Sequence, residues 1–216
     1  MICDEAYLLA DALSKQNRNL VSSIYFRRFF QAFWSCQYSE ALKWSKLAME
    51  HSIISGPKMI KMFLYVTMGI VEFQLYREGK GEIHYNEGTE MLNALEKRSR
   101  DCSEDLFNNK LLLLQAEHFA AICEVEKAKE AYDASIRTAR NFGRVNDQAL
   151  AYELQGNYLS SIVEITQATE SYKNAYNCYM KWGNLTKAKQ IQENHRLDLA
   201  VDVEIEINPM KHRRDW

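Results

Sequence analysis

The side chains that could do chemistry are spread along the chain rather than gathered. Glu117 and His118 stand side by side and would make an acid–base pair, but neighbours on a helix project about 100° apart, so the two cannot serve one proton. Cys178 falls between Tyr176 and Tyr179 in an apolar stretch and is read as core, not as a nucleophile. Lys80 lies between Gly79 and Gly81; the GxxxxGKS/T frame of a phosphate loop is missing, and a flexible solvated loop is the reading. The five cysteines (Cys3, Cys36, Cys102, Cys123, Cys178) are odd in number, widely spaced and without a CxxC, and the five histidines form no HExxH or Cys/His cluster. Free thiols in a reducing, cytoplasmic compartment follow, with no metal, cofactor or catalytic residue expected. Lys211-His212-Arg213-Arg214 is too short a basic run to make a nucleic-acid patch.

The elements around these residues are helical. A chain of 216 residues can bury one sizeable core, and two prolines and eight glycines leave long helices uninterrupted. A net charge of -2 gives no general pull toward nucleic acid or anionic lipid. No apolar run approaches the roughly 18 residues a membrane span needs. The opening MICDEAYLLADAL carries three acids and no basic n-region, which excludes a secretory signal there.

Apolar periodicity predicts a leading helix at 4–15, helix pairs at 20–35 with 39–53, 58–77 with 87–99, and 104–122 with 125–141, a fourth pair within 149–182, and a covering helix at 185–196. Gly56-Pro57 separates two of the pairs, and Gly143 and Gly183 are placed as left-handed helix stops, with Asn146 as the cap of the helix that follows. Residues 1–197 are thus one helical domain. From Leu199 to Ile207 the period changes to alternation, so 198–216 is read as an extended tail, either a lead into a missing domain or a strand that pairs with a partner's sheet edge.

Two pairs carry the same signature. Tyr152-x2-Gln155-Gly156-x2-Leu159 followed by Ala168-x3-Tyr172 has the spacing of a tetratricopeptide helix–turn–helix unit, with Gln155 where that pattern prefers Leu and Ala175 at a further small position. Leu112-x2-Gln115-Ala116-x2-Phe119 followed by Ala128-x3-Tyr132 repeats it 40 residues earlier. Second-pair residues Tyr65, Met68 and Gly69 fit the pattern less completely. The expected fold is all-α, an α-solenoid of antiparallel TPR-like helix pairs, about four pairs plus flanking helices. Gly156 within a helix implies a close helix crossing, because glycine there costs about 1 kcal/mol relative to alanine. On that basis Gly156→Leu should destabilise and Gly156→Ala should hardly matter.

NKLLLLQAE (109–117), AYDASIRTARNFGRVNDQALAYELQGNYL (131–159) and YKNAYNCYMKWGNLTKAKQI (172–191) resemble the helical-repeat region of very large multidomain signalling proteins. In that family the region lies between an ATPase module, often preceded by a serine/threonine-kinase-like domain, and a GAF-sensor and histidine-kinase part. The resemblance covers roughly 22–195. Where the family has a Gly-containing turn, this chain has Ser160-Ser161-Ile162-Val163. It carries no Walker A loop, kinase signature or phospho-acceptor box, so the resemblance implies a scaffold role alone. The alternative is a part of an enzyme whose ATPase or kinase module lies outside this chain.

In such a stack the first helix of each pair lines the concave face. That face would present Lys110, Leu113, Leu114 and Glu117, then Glu153, Leu154, Asn157 and Ser161. The mixed apolar and acidic character suits an amphipathic or extended peptide with some basic residues, while Glu117 and Glu153 oppose a clamp for a C-terminal carboxylate. A protein or peptide partner is expected, not nucleic acid or membrane; nothing in the sequence fixes the oligomeric state.

Overall fold

The computed structural model describes residues 4–51, 58–99 and 107–197. Cys3, Gly56-Pro57, Cys102, the alternating stretch 199–207 and the rest of the tail 198–216, with its basic run Lys211 to Arg214, lie outside the described residues. Among the described residues every regular element is a helix: α1 (Glu5–Ser14), α2 (Arg18–Trp34), α3 (Tyr38–His51), α4 (Lys58–Arg77), α5 (Glu82–Ser99), α6 (Asn108–Ala121), α7 (Val125–Asn141), α8 (Val145–Ser161), α9 (Ile165–Trp182) and α10 (Leu185–Asn194). Within them, no helix is long and apolar enough to cross a membrane.

Helices pack mainly on their sequence neighbours, α2 on α3, α4 on α5, α6 on α7 and α8 on α9, with α4 also touching α6 and α6 touching α8. Hydrogen bonds give the running direction. Ser22, near the start of α2, donates to the carbonyl of Ala48 near the end of α3. Ser135, late in α7, donates to the carbonyl of Asn109 at the start of α6. The main core joins Phe29, Ile70, Phe73, Leu95, Leu114 and Tyr132, and a second cluster around Tyr172, Tyr179 and Ile191 fills the α8–α10 end.

The helices end alike. Eight of them stop at a residue with φ between 48° and 87°: Gln16, Cys36, Gly79, Cys123, Gly143, Val163, Gly183 and Arg196. In each, the next N–H reaches back five residues to a helix carbonyl, as Gln37 does to Ala32 and Glu164 to Leu159, both at 2.9 Å. This satisfies carbonyls that a helix end would otherwise leave bare. From Cys123 onward the stop recurs every 20 residues, at 123, 143, 163 and 183. The longer loop expected between Arg77 and Glu87 is not there: only Lys80 and Gly81 separate the stop at Gly79 from α5, which already begins at Glu82, and Gly79 and Gly81 take positive φ within a tight connection. Likewise Asn146 is not a cap. It lies inside α8, whose first turn is entered from Arg144 without a side-chain cap. Asn17 and Asn184 do cap, accepting from the N–H groups of Leu20 and Lys187.

The seams inside the last two pairs correspond. Tyr132 donates from α7 to Glu117 on α6 at 2.5 Å, and Tyr172 donates from α9 to Asn157 on α8 at 3.1 Å, each bond spanning 15 residues. Ala116, Ala128, Ala168 and Ala175 are buried at the crossings, and Tyr152 packs half-buried against both clusters. A Cβ on Gly156 would fall 2.6 Å from the Tyr172 ring. In the second pair the roles are exchanged: Gly88 on α5 meets the ring of Phe73 on α4, at 2.8 Å from the added Cβ. Gly69, expected at this seam, instead makes its closest approach to Leu114 of α6.

Candidate functional site

The residues expected to face a partner are held by the chain itself. Glu117 is 0% exposed. Its carboxylate accepts from Arg77 Nη2 at 2.8 Å, Gln74 Nε2 at 3.0 Å and Tyr132 Oη at 2.5 Å. Glu153, 4% exposed, pairs with Lys187 Nζ at 2.7 Å and accepts from Tyr179 Oη at 2.6 Å. Leu113 is buried in the core. Lys110 is half-buried and bound to Asp147, which also accepts from Asn109 at 2.9 Å. The open face assigned to Lys110, Leu113, Glu117 and Glu153 is therefore corrected: a buried carboxylate needs a cation or several donors, and α4, α7, α9 and α10 supply them. Of the five, Asn157 borders the groove described below.

The turn after α2 completes this filling. Trp34 lies edge-on to Tyr179, ring centres 6.2 Å apart, and packs 5.9 Å from Trp182. Lys187 donates to the Trp34 carbonyl at 2.7 Å, and Cys36 donates to Glu153 at 3.7 Å. Burial raises the Cys36 thiol, Glu153 adds to it, and Lys187 offsets only part. That thiol is a poor nucleophile at neutral pH. Burial likewise raises the Tyr38 phenol, helped by Cys36, Glu153 and Glu117 around it.

His118 turns away from Glu117, as helical geometry requires. It stacks on Tyr85, with a 3.2 Å contact between Nε2 and the Tyr85 Oη. Burial lowers its pKa. His84 Nδ1 and Glu72 are 2.6 Å apart, and burial raises the carboxyl against the pull of His84 and Lys46.

A groove lies open beside this filled face. It has a volume of about 620 Å³ and runs along the C-terminal ends of α4, α6 and α8, bordered by Arg77, Glu78, Ala121, Cys123, Tyr158 and Ile162 among others. Two of its bordering residues carry buried donors without a partner, Arg77 Nη1 and Tyr158 Oη. Burial, which by itself would lower the Arg77 pKa, is outweighed by Glu117 and Tyr132, so the guanidinium stays charged. No local motif announces Arg77 or Tyr158; Arg77 is simply the last residue of α4, and it meets Glu117 across 40 positions of sequence.

No family model matches the chain, and no curated protein matches it at a significant level.

Proposed function

We propose that this chain is a non-catalytic interaction scaffold, a solenoid of antiparallel TPR-like helix pairs that holds a protein or peptide partner. It would be a fragment or relative of a cytoplasmic signalling ATPase or kinase regulatory region. The observation that carries the reading is the recurrence of one helix–turn unit every 20 residues, with matching tyrosine bonds in the last two pairs. Repeated units of this kind stack side by side and offer a continuous surface made from equivalent helices. The groove along α4, α6 and α8 is such a surface, since it takes one helix from each of three successive pairs.

The test is photo-crosslinking in cells, with a photoreactive residue placed at Val125 or Ser161 in the groove and at exposed Ile83 as a control. The scaffold reading expects one recurrent protein adduct from the groove positions. A chain that yields no recurrent adduct from any face would count against it. The flanking reading frame tests the signalling assignment separately, by whether an ATPase or histidine-kinase module adjoins.

A further inference from the structure

We infer that the groove along α4, α6 and α8 takes a basic side chain, lysine or arginine, carried on a partner peptide. Its aliphatic stem lies against Ala121, Val125 and Ile162, and its charge sits at Glu78 and the carboxyl ends of the three helices. The inference rests on the scaffold reading and specifies its partner.

Charge selects the occupant. Among the described residues, the charged ones bordering the groove are Arg77 and Glu78. The Arg77 guanidinium is matched by the buried Glu117 carboxylate at 2.8 Å. Glu78 is exposed and has no cation within ion-pair distance among the described residues. The acids of the neighbouring turns are taken: Glu124 is 3.4 Å from Lys127, and Glu164 is 2.5 Å from Lys129. Helices α4, α6 and α8 all end at the groove, and each helix carboxyl end acts as about half a negative charge. Ser161 spends its one hydroxyl proton on the Tyr158 carbonyl at 2.6 Å, so what it has left is an acceptor. Together these groups repel an anion and draw a cation.

The wall decides what carries the cation. Ala120, Ala121, Val125 and Ile162 make one flank apolar. Ile122 and Val163, the residues directly after Ala121 and Ile162, are 40% and 79% exposed. A bare inorganic cation would leave that flank against water. Lysine and arginine end an aliphatic stem in a charge, so one side chain covers the apolar wall and still reaches the acid. The volume of about 620 Å³ is more than one such side chain fills, which leaves room for the peptide residues beside it. The acid concerned is Glu78, whereas Glu117 and Glu153 are satisfied within the chain.

The experiment uses the full chain with isotope-labelled Ala, Val and Ile methyl groups, followed by NMR. The probes are short end-blocked peptides of Ala and Val with a central lysine, Nε-acetyl-lysine or glutamate. Acetylation keeps the stem and removes the charge. Saturable shifts at Ala120, Ala121, Val125 and Ile162 are expected with the lysine peptide, and weaker binding after acetylation or in added salt. Glu78→Gln leaves the fold intact because the side chain is exposed. It should weaken the lysine peptide about two- to fivefold, the worth of an exposed ion pair, and leave the acetylated peptide unchanged. Glu124→Gln, at an acid that already has Lys127, should change little. Equal binding of the lysine and acetyl-lysine peptides would make the site apolar only, and a preference for glutamate would reverse its sign. Shifts at the same methyls on concentrating the chain alone would seat a second copy there. Each of these results overturns the inference, as do shifts confined elsewhere or unchanged lysine-peptide binding in Glu78→Gln. Failure of every peptide to bind also overturns it, while the cross-linking result still decides the scaffold reading.

Discussion

Lys187 on α10 donates to the main-chain carbonyl of Trp34 at the end of α2, 2.7 Å away and 153 positions distant in sequence. The same ammonium meets Glu153 at 2.7 Å. In a repeat stack whose units touch only their neighbours, the ends unfold independently. Here a residue just after the stop at Gly183 is bonded to a residue at the second stop, so the ends are tied and the face between them is filled.

Lys187→Met leaves the Glu153 carboxylate buried with Tyr179 and without its cation. The expected loss is about 3–5 kcal/mol, the usual cost of removing one partner from a buried pair. Adding Glu153→Gln should recover most of that loss. Urea unfolding of the two single variants and the double variant measures the coupling; losses that simply add would mean the two groups do not interact.

Gly156→Ala is expected to cost stability, contrary to what helix propensity alone implies. The added methyl would sit 2.6 Å from Cε1 and 2.7 Å from Cδ1 of Tyr172, a buried ring held by its bond to Asn157. Burial pushes that phenol up to about 12, so the hydroxyl stays a donor. The substitution should cost about 1–3 kcal/mol, as overpacking does, and Gly156→Leu more. Thermal melts distinguish this from a neutral change, and Gly156→Ala with Tyr172→Leu should melt higher than Gly156→Ala alone.

The sequence made the helices legible because a 3.6-residue period and small-residue seams are local properties. Ala128 with Tyr132 and Ala168 with Tyr172 announced their shared spacing without any coordinates. The turns were half-hidden: Gly143 and Gly183 signal a left-handed stop, Gly79 reads instead as part of a flexible loop, and Cys36, Cys123 and Val163 adopt the stop against their preference. What faces what was not legible at all. Glu117 and Glu153 look like surface acids on a polar stripe, and only the return of Arg77 and Lys187 from distant helices turns them into core residues.

Acid should weaken the fold through two histidines. Burial lowers His118 and His195 below the ordinary 6.5, the latter stacked on Tyr172 with ring centres 3.4 Å apart. The unfolded chain then binds protons first as pH falls, so the stability they contribute is full above about 6.5 and is lost as pH drops through the lowered folded values. Glu72 works the other way: burial raises its carboxyl above 4.5, and its contribution is gained, not lost, toward low pH. NMR titration of the imidazole protons should give midpoints under 6.5 for His118 and His195, and urea midpoints should fall over the same interval. Unshifted imidazoles would refute the burial assigned to them.

Val163→Gly should stabilise the protein. Val163 sits at φ 65°, the same place in its turn that Gly143 takes at φ 65°, and it is 79% exposed, so its side chain gains little packing. A β-branched residue there strains against its own carbonyl by about 1–2 kcal/mol. Glycine removes that strain while adding about 0.5–1 kcal/mol of unfolded-state entropy, so the net gain is about 0.5–1 kcal/mol. The converse change, Gly143→Val, should cost about 0.5–1 kcal/mol net by the same balance, because nothing crowds the site and only the backbone conformation is at stake. Opposite shifts in urea midpoint for the two variants are the expected result. Equal or same-sign shifts would mean that the two turns are not equivalent, and the 20-residue unit would lose its support at that point.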